Sequence, residues 1–142
     1  MADRYPLFLD ITDRLVVVVG GGPVAARRTR SLLASRAQVR LVSPWVCEDL
    51  REAVDAGEIT WLPRDYAEGD LDGAWLVHTA TGDRRVDDAI ARDAAAARLW
   101  CVRADDAEAS PAWTPAVARG DDGVAVAVSG GGDPGRARAV RD

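Results

Sequence analysis

Two short stretches of this sequence carry residue types at a spacing that chemistry can use. The first is Gly20-Gly21-Gly22-Pro23-Val24-Ala25, which fits the pattern G-x-G-x-x-G/A. There the first glycine makes a tight turn, the second lets the backbone approach a pyrophosphate, and a small third residue lets a helix pack close to a sheet. Gly20, Gly22 and Ala25 take those parts here. A helix starting at such a turn offers free N–H groups and a partial positive charge to an anion. Pro23 suits the first helical position, although it removes one donor, and Val24 completes the turn. The second stretch is Asp105-Asp106. A carboxylate pair could act as a base or touch a metal, and it could equally do no more than cap a helix.

The glycine turn predicts a bound dinucleotide, but the usual second half of that fingerprint is missing. An acid that holds the adenosine ribose should stand about 20 residues on. The sequence there reads Leu41-Val42-Ser43-Pro44, and Glu48 and Asp49 come too late to end the strand. Ser43 offers a hydroxyl to the ribose instead. Arg40 lies inside a strand, so no arginine is evident for a 2′-phosphate, and the residues alone leave NAD and NADP both open. His78, the sole histidine, ends an apolar strand. It is either a general base or a buried side chain with one satisfied nitrogen. Thr79-Ala80-Thr81-Gly82 beside it has small side chains and two hydroxyls, suited to lining a cofactor. An aspartate at its ordinary pKa of about 3.9 is a weak base, so if Asp105 works as one, burial or Asp106 should raise it.

These groups need elements that place them on one rim. Leu15–Val19 is a continuous β-branched run, the pattern of a strand buried on both faces of a parallel sheet. Val24, Arg28, Leu32 and Leu33 then recur at helical spacing. Gln38–Val42, Glu58–Leu62, Ala74–Thr79 and Leu99–Val102 read as further strands. Leu50–Ala56 and Asp83–Ala97 read as helices. Strand–helix alternation with short links predicts an α/β, Rossmann-like doubly wound parallel sheet, with the carboxyl ends of all strands on the ligand rim. The pattern changes after Ala104. Thr114–Arg119 and Val124–Ser129, joined by Gly120-Asp121-Asp122-Gly123, predict a β-hairpin. The run Gly130-Gly131-Gly132-Asp133-Pro134 then leads into a short Arg/Ala helix. This divides the chain into residues 1–113, a dinucleotide-binding domain, and residues 114–142, a hairpin segment. An isolated hairpin is marginal alone, so it is expected to pack on a second copy. With no capping signal at Asp142, the polypeptide is expected to continue beyond it.

Composition narrows the function classes. The 142 residues carry a net charge of −5, which gives no basic face for nucleic acid. All basic residues are arginine, first of all a matter of codon usage. Cys47 and Cys101 lack metal-ligand spacing, and Cys101, in an apolar strand, is expected to be a buried reduced thiol. No apolar run approaches the ~20 residues that span a bilayer, and no leader pattern is present. A cytoplasmic location and no membrane partner are expected.

Taken in order, YPLFLDITDR, GGGPVAARR, AWLVHTAT, WCVRADDAEASPAWTPA and VAVSGGGDP resemble the N-terminal module of siroheme synthase, the precorrin-2 dehydrogenase module that in some members is also a sirohydrochlorin ferrochelatase. The resemblance runs from Tyr5 to Arg138. It implies a Rossmann domain that holds NAD at Gly22, Pro23, Val24, Ser43 and Pro44, followed by a dimerisation segment. It also implies oxidation of precorrin-2 to sirohydrochlorin in siroheme, and hence porphyrin, biosynthesis. The family stretch Cys-Asn-Val-x-Asp ends on its catalytic aspartate, which falls on Asp105. Val102 stands where asparagine is usual, and Gly130 where many members have Ser or Thr, which leaves Ser129 as the hydroxyl facing substrate. Arg119, Arg136 and Arg138 are candidates to meet its acidic side chains. The family's later helical part, which helps cover the tetrapyrrole, is barely begun, and this weakens the chelatase (lyase) reading more than the dehydrogenase one. The resemblance further implies a homodimer and a fused uroporphyrinogen-III methyltransferase. The alternatives are a nucleotide-sensing regulatory module, or a catalytically silent dimer scaffold for that methyltransferase.

Overall fold

The computed structural model describes residues 3–131 and 134–142; Gly132 and Asp133 of the predicted glycine run lie outside them. Four consecutive valines start the fold. β1 (Leu15–Val19) is buried along almost its whole length, and a valine taken fully from water contributes about 1.5–3 kcal/mol. Such a strand is stable only between two layers. β1 accordingly runs parallel to β2 (Gln38–Val42) on one side and to β4 (Leu76–Thr79) on the other. β3 (Thr60–Leu62) and β5 (Trp100–Arg103) complete a five-stranded parallel sheet in the order β3-β2-β1-β4-β5.

The alternation of side chains along β1 selects the two layers. Val16 and Val18 pack with Leu41 against Ala25, Ala26 and Leu32 of α1 (Pro23–Ala34) and Leu50 of α2 (Glu48–Asp55). Val17 and Val19 pack with Val77 and Cys101 against Ile90 and Ala94 of α3 (Arg84–Ala96). The chain order reverses direction between β1 and β4, and at this switch point an open α/β sheet leaves its ligand crevice. The expected doubly wound architecture is therefore present, with strand and helix ends within one or two residues of their sequence limits.

Beyond β5 the chain folds back. Ala112 forms a parallel bridge with Val102. Ser110 is buried, with its Oγ accepting from the Arg103 N–H at 2.8 Å and donating to the Ala112 carbonyl at 2.6 Å. β6 (Ala116–Arg119) and β7 (Ala125–Val128) then form the predicted antiparallel hairpin, a sheet of its own. Asp122 accepts from the Val124 N–H in its turn. α4 (Pro134–Arg141) packs on both strands through buried Ala137. Among the described residues no helix is long and apolar enough to cross a membrane.

Candidate functional site

The turns after β1 and β4 meet at the switch point. Gly20 has φ +134°, and a Cβ there would stand 2.3 Å from the Ala80 carbonyl oxygen. Gly20 thus makes the tight turn that its place in the motif requires. Gly21, to which the motif gives no role, is more confined still. A Cβ at Gly21 would stand 1.9 Å from the Trp45 carbonyl oxygen, and its own carbonyl accepts from the Cys47 N–H at 2.7 Å. Gly22 is different: an added Cβ would meet only the Trp45 ring, at 3.8 Å. Space therefore remains in front of Gly22, where a phosphate would approach.

The same turn starts α1, with Gly22 as its N-cap and Pro23 in the first turn. No side chain caps the helix, and no acid lies in its first turn. The first N–H groups of a helix lack internal partners; here Pro23 has none to offer and Ala26 donates to the Gly22 carbonyl, so those of Val24 and Ala25 are the ones an anion could use. Ala25, wholly buried, gives the close helix–sheet contact. This cradle fits the pyrophosphate of a dinucleotide.

Ser43 follows β2 on the same rim. Its hydroxyl turns inward and donates to the Trp45 carbonyl at 2.6 Å, and the residue is buried. That bond fixes the loop that bears on Gly21, with Pro44 exposed beside it. Arg40, in β2 as expected, donates to the carbonyls of Asp70 and Asp72.

At the end of β4, Thr79 is buried, while Thr81 on the rim donates from Oγ1 to Asp87 at 2.6 Å. Asp87 lies in the first turn of α3 and is 0% exposed. Burial, and after it the nearby Asp105, holds its carboxyl above the ordinary value, against the lowering bond from Thr81. The native state therefore binds this proton more tightly than the unfolded chain does. Stability attached to Asp87 is present at low pH and is lost as pH rises from the ordinary carboxylate range through the raised value. Asp87→Asn removes that loss. We expect a higher denaturant midpoint than wild type at neutral pH and little difference below pH ~4, read by urea titration at both pH values.

Asp105 sits just past β5, on the same rim. Arg103 grips it in bidentate fashion, Nε to Oδ1 at 3.0 Å and Nη2 to Oδ2 at 2.9 Å, while the same guanidinium holds Asp88 of α3 at 2.8 Å. The Arg103 side chain is only 5% exposed, so this is a sheltered charge cluster with good geometry. Its effect runs opposite to the sequence expectation. The Arg103 hydrogen bonds outweigh burial and hold the Asp105 carboxyl below its ordinary value. Asp106 does not raise it either. Asp106 pairs with Arg84 at 3.0 Å and accepts from the Ala109 N–H at 3.1 Å, a capping role within the loop.

His78 faces α1 from inside the sheet, 4% exposed. Burial, and then the charge of Arg28, lowers its pKa to about 4; it is a neutral interior side chain. Cys47 and Cys101 are both free thiols, and burial pushes the Cys101 thiol up to about 11. Ser129 lines a cavity between α1 and the hairpin, together with Arg138. Arg119, exposed at the end of β6, is not among that cavity's lining residues. The sequence reading missed Gly21, Arg103, Ser110 and Asp87. Of these, only Gly21 left a signal, as the middle residue of a glycine triplet.

Comparison with known proteins places this geometry. A family described as "Putative NAD(P)-binding" matches residues 7–116. The siroheme synthase of Chromobacterium violaceum is 38% identical over 96% of this chain and 29% of its own length. Siroheme synthase 3 of Aeromonas hydrophila is 34% identical over 99% of this chain and 30% of its own. The chain thus spans under a third of the curated relatives it matches. The solved structure of SirC, a precorrin-2 dehydrogenase, superposes with a TM-score of 0.81 at 25% identity, covering 96% of this chain and 67% of that one.

Proposed function

The chain belongs to the putative NAD(P)-binding family, and from that premise we propose that it is an NAD-dependent oxidoreductase module that converts precorrin-2 to sirohydrochlorin in siroheme biosynthesis. The observation that carries the proposal is one rim with two complementary parts. An open phosphate turn lies at Gly20–Val24, and a carboxylate fixed by Arg103 lies at Asp105. Likeness to siroheme synthases and to SirC supports the substrate.

The Gly22 backbone and the first N–H groups of α1 would hold the cofactor's pyrophosphate, with Ala80 and Thr81 at the adjoining turn. NAD, when bound, supplies a hydride acceptor. Asp105 has two tasks in this scheme. As an anion it stabilises the positive charge that develops on the macrocycle as hydride departs, which is the electrostatic part of catalysis. An Asp105 oxygen then takes the proton released from the macrocycle, so precorrin-2 and NAD yield sirohydrochlorin, NADH and a proton. A macrocycle that has just lost hydride is a strong acid. A base held below its ordinary pKa is therefore sufficient, and Arg103 keeps it ionised.

The hairpin supports a homodimer within the proposal, because Val126 on β7 and Val124 just before it are about half exposed beside a two-stranded sheet. The relatives' greater length supports fusion to a methyltransferase. Division at residue 113 follows the change from parallel sheet to hairpin. The direct test mixes this chain with precorrin-2 and NAD and follows NADH absorbance; we expect NADH in step with loss of precorrin-2. NAD binding with no NADH formation would favour the silent-scaffold or sensing alternatives.

A further inference from the structure

The chain enters the fold as a strap. Residues 3–10 lie outside the sheet and its helices, and of them Arg4 alone is not exposed. The strap rejoins the body at Ile11, which packs against the core cluster of Val16, Val18 and Ala25, and at Asp13, whose N–H donates to the Arg36 carbonyl at 2.9 Å. What Arg4 reaches is the loop after β5. Its Nη2 donates to the Ser110 carbonyl at 3.0 Å and to the Glu108 carbonyl at 3.4 Å. The guanidinium carbon lies 4.3 Å from the centre of the Trp113 ring. These partners stand more than a hundred residues along the chain from Arg4.

That loop begins with Asp105. None of residues 104–109 is buried, so apolar packing does not fix it, and a segment of this kind opens easily unless hydrogen bonds hold it. Trp113 Nε1 donates to the Ala107 carbonyl at 2.7 Å, and the Ala109 N–H donates to Asp106 at 3.1 Å. Ser110, the one buried residue of the turn, ties it to β5 by accepting from the Arg103 N–H at 2.8 Å. Arg103 in turn grips both oxygens of Asp105. A continuous series of contacts thus runs from the strap to the carboxylate: Arg4, Ser110, Arg103, Asp105.

A planar guanidinium suits this place. It donates in its own plane to two carbonyls while an aromatic ring covers its face, a combination that an ammonium does not match. We propose that Arg4 is a positioning residue for Asp105, a clamp by which the N-terminal strap fixes the loop beside the proposed catalytic carboxylate. Its part in the reaction rests on the dehydrogenase reading; the clamp itself rests on the contacts alone. Arg4 acts on Asp105 through Ser110 and Arg103. Without it the Ser110 carbonyl and the Trp113 ring lose their shared anchor, and the loop is free to carry Asp105 off its place on the rim. Misplacing a reacting group by about 1 Å costs up to about a hundredfold in rate.

The test compares the full chain with Arg4→Met, which keeps an apolar stem and removes the charge and the donors. NADH formation from precorrin-2 should slow about tenfold, with NAD affinity unchanged. Arg4→Lys keeps a cation over Trp113 and should fall between the two, and Arg92→Met, on exposed α3 surface, should match wild type. One readout needs no turnover. Endoproteinase Glu-C cuts after glutamate, and Glu108 lies in the clamped loop. Bonds from a charged donor are strong enough that losing them should speed this cut about tenfold, while cutting after Glu68, before β4, should not change. A third readout separates positioning from general support. In an Asp105→Ala background, Arg4→Met should hardly lower the residual rate, because the group it positions is gone. An equal tenfold fall in that background would overturn the assignment, as would Glu108 cleavage at the wild-type rate in Arg4→Met. Wild-type chain that yields no NADH, with Arg4-dependent protection of Glu108, would sink the dehydrogenase reading and spare the clamp. NADH formed equally fast by wild type and Arg4→Met would keep that reading and remove Arg4 from it.

Discussion

Asp105→Ala is expected to lower NADH formation from precorrin-2 by at least about a hundredfold, with NAD affinity unchanged. The two effects separate because the residues are on different strands. The cofactor cradle is built from the β1 turn and α1, and Asp105 follows β5. Stopped-flow absorbance of NADH gives the rate, and calorimetric titration with NAD gives the affinity. Turnover within a few-fold of wild type would sink Asp105 as the catalytic group.

The partner substitution, Arg103→Met, tests how that carboxylate is used. Arg103 hydrogen bonds hold the Asp105 pKa below its ordinary value, so in wild type the acid falls out of its ionised form only at low pH. Without Arg103 that lowering influence is gone, while burial and the now uncompensated Asp88 both favour the protonated form. The folded pKa rises, and the acid limb of the pH–rate profile must move to higher pH. Stability moves in the same sense. A group with a lowered folded pKa contributes stability above its unfolded value and loses it as pH falls through the folded one, so the variant forfeits that contribution at neutral pH. A loss of rate with no displacement of the acid limb would mean that Arg103 merely supports the loop.

What the sequence disclosed was whatever is written in a local pattern. The valines of β1, the alternation of strands and helices and the turn at Gly20 each rest on neighbours in the chain, and each is found where the pattern puts it. The hairpin was legible for the same reason, through its Gly-Asp-Asp-Gly turn. The charge state of Asp105 was not. It depends on Arg103, only two residues away but pointing back across the sheet end to Asp88, and nothing in the spacing shows a strand arginine turning to the rim. Asp87 was likewise hidden: in sequence it is one acid among many early in α3, and only packing makes it the buried one. The cavity lined by Ser129 and Arg138 draws on α1, β5 and α4, segments of which the first and last are more than a hundred residues apart, and no periodicity connects them. Ser43 shows the converse hazard, since a plausible donor at the right sequence distance was already engaged by its own loop.

The glycine triplet yields the sharpest structural contrast. Gly22→Ala should fold as wild type and lose NAD affinity about tenfold or more, while Gly21→Ala should lose the fold's stability first. Gly22 has φ −96°, which alanine adopts without strain, and its added methyl meets nothing nearer than the Trp45 ring at 3.8 Å. The methyl therefore takes up space that only a ligand would otherwise fill. At Gly21 the methyl would lie 1.9 Å from the Trp45 carbonyl oxygen and 2.6 Å from Ser43 Oγ. Backbone must move, and overpacking of this kind costs about 1–3 kcal/mol, or a fall of roughly 3–10 °C in melting temperature for a domain of this size. Gly20→Ala adds a positive φ to a 2.3 Å clash with Ala80 and should cost at least as much. Melting curves with and without saturating NAD distinguish the cases, because NAD raises the midpoint of a variant only as far as it still binds. Wild type and Gly21→Ala should shift upward on adding NAD, from different starting points, and Gly22→Ala should start at the wild-type midpoint and hardly move. A Gly22→Ala protein that melts early, or one that NAD stabilises as fully as wild type, would remove the pyrophosphate from this turn and with it the cofactor assignment to this end of the sheet.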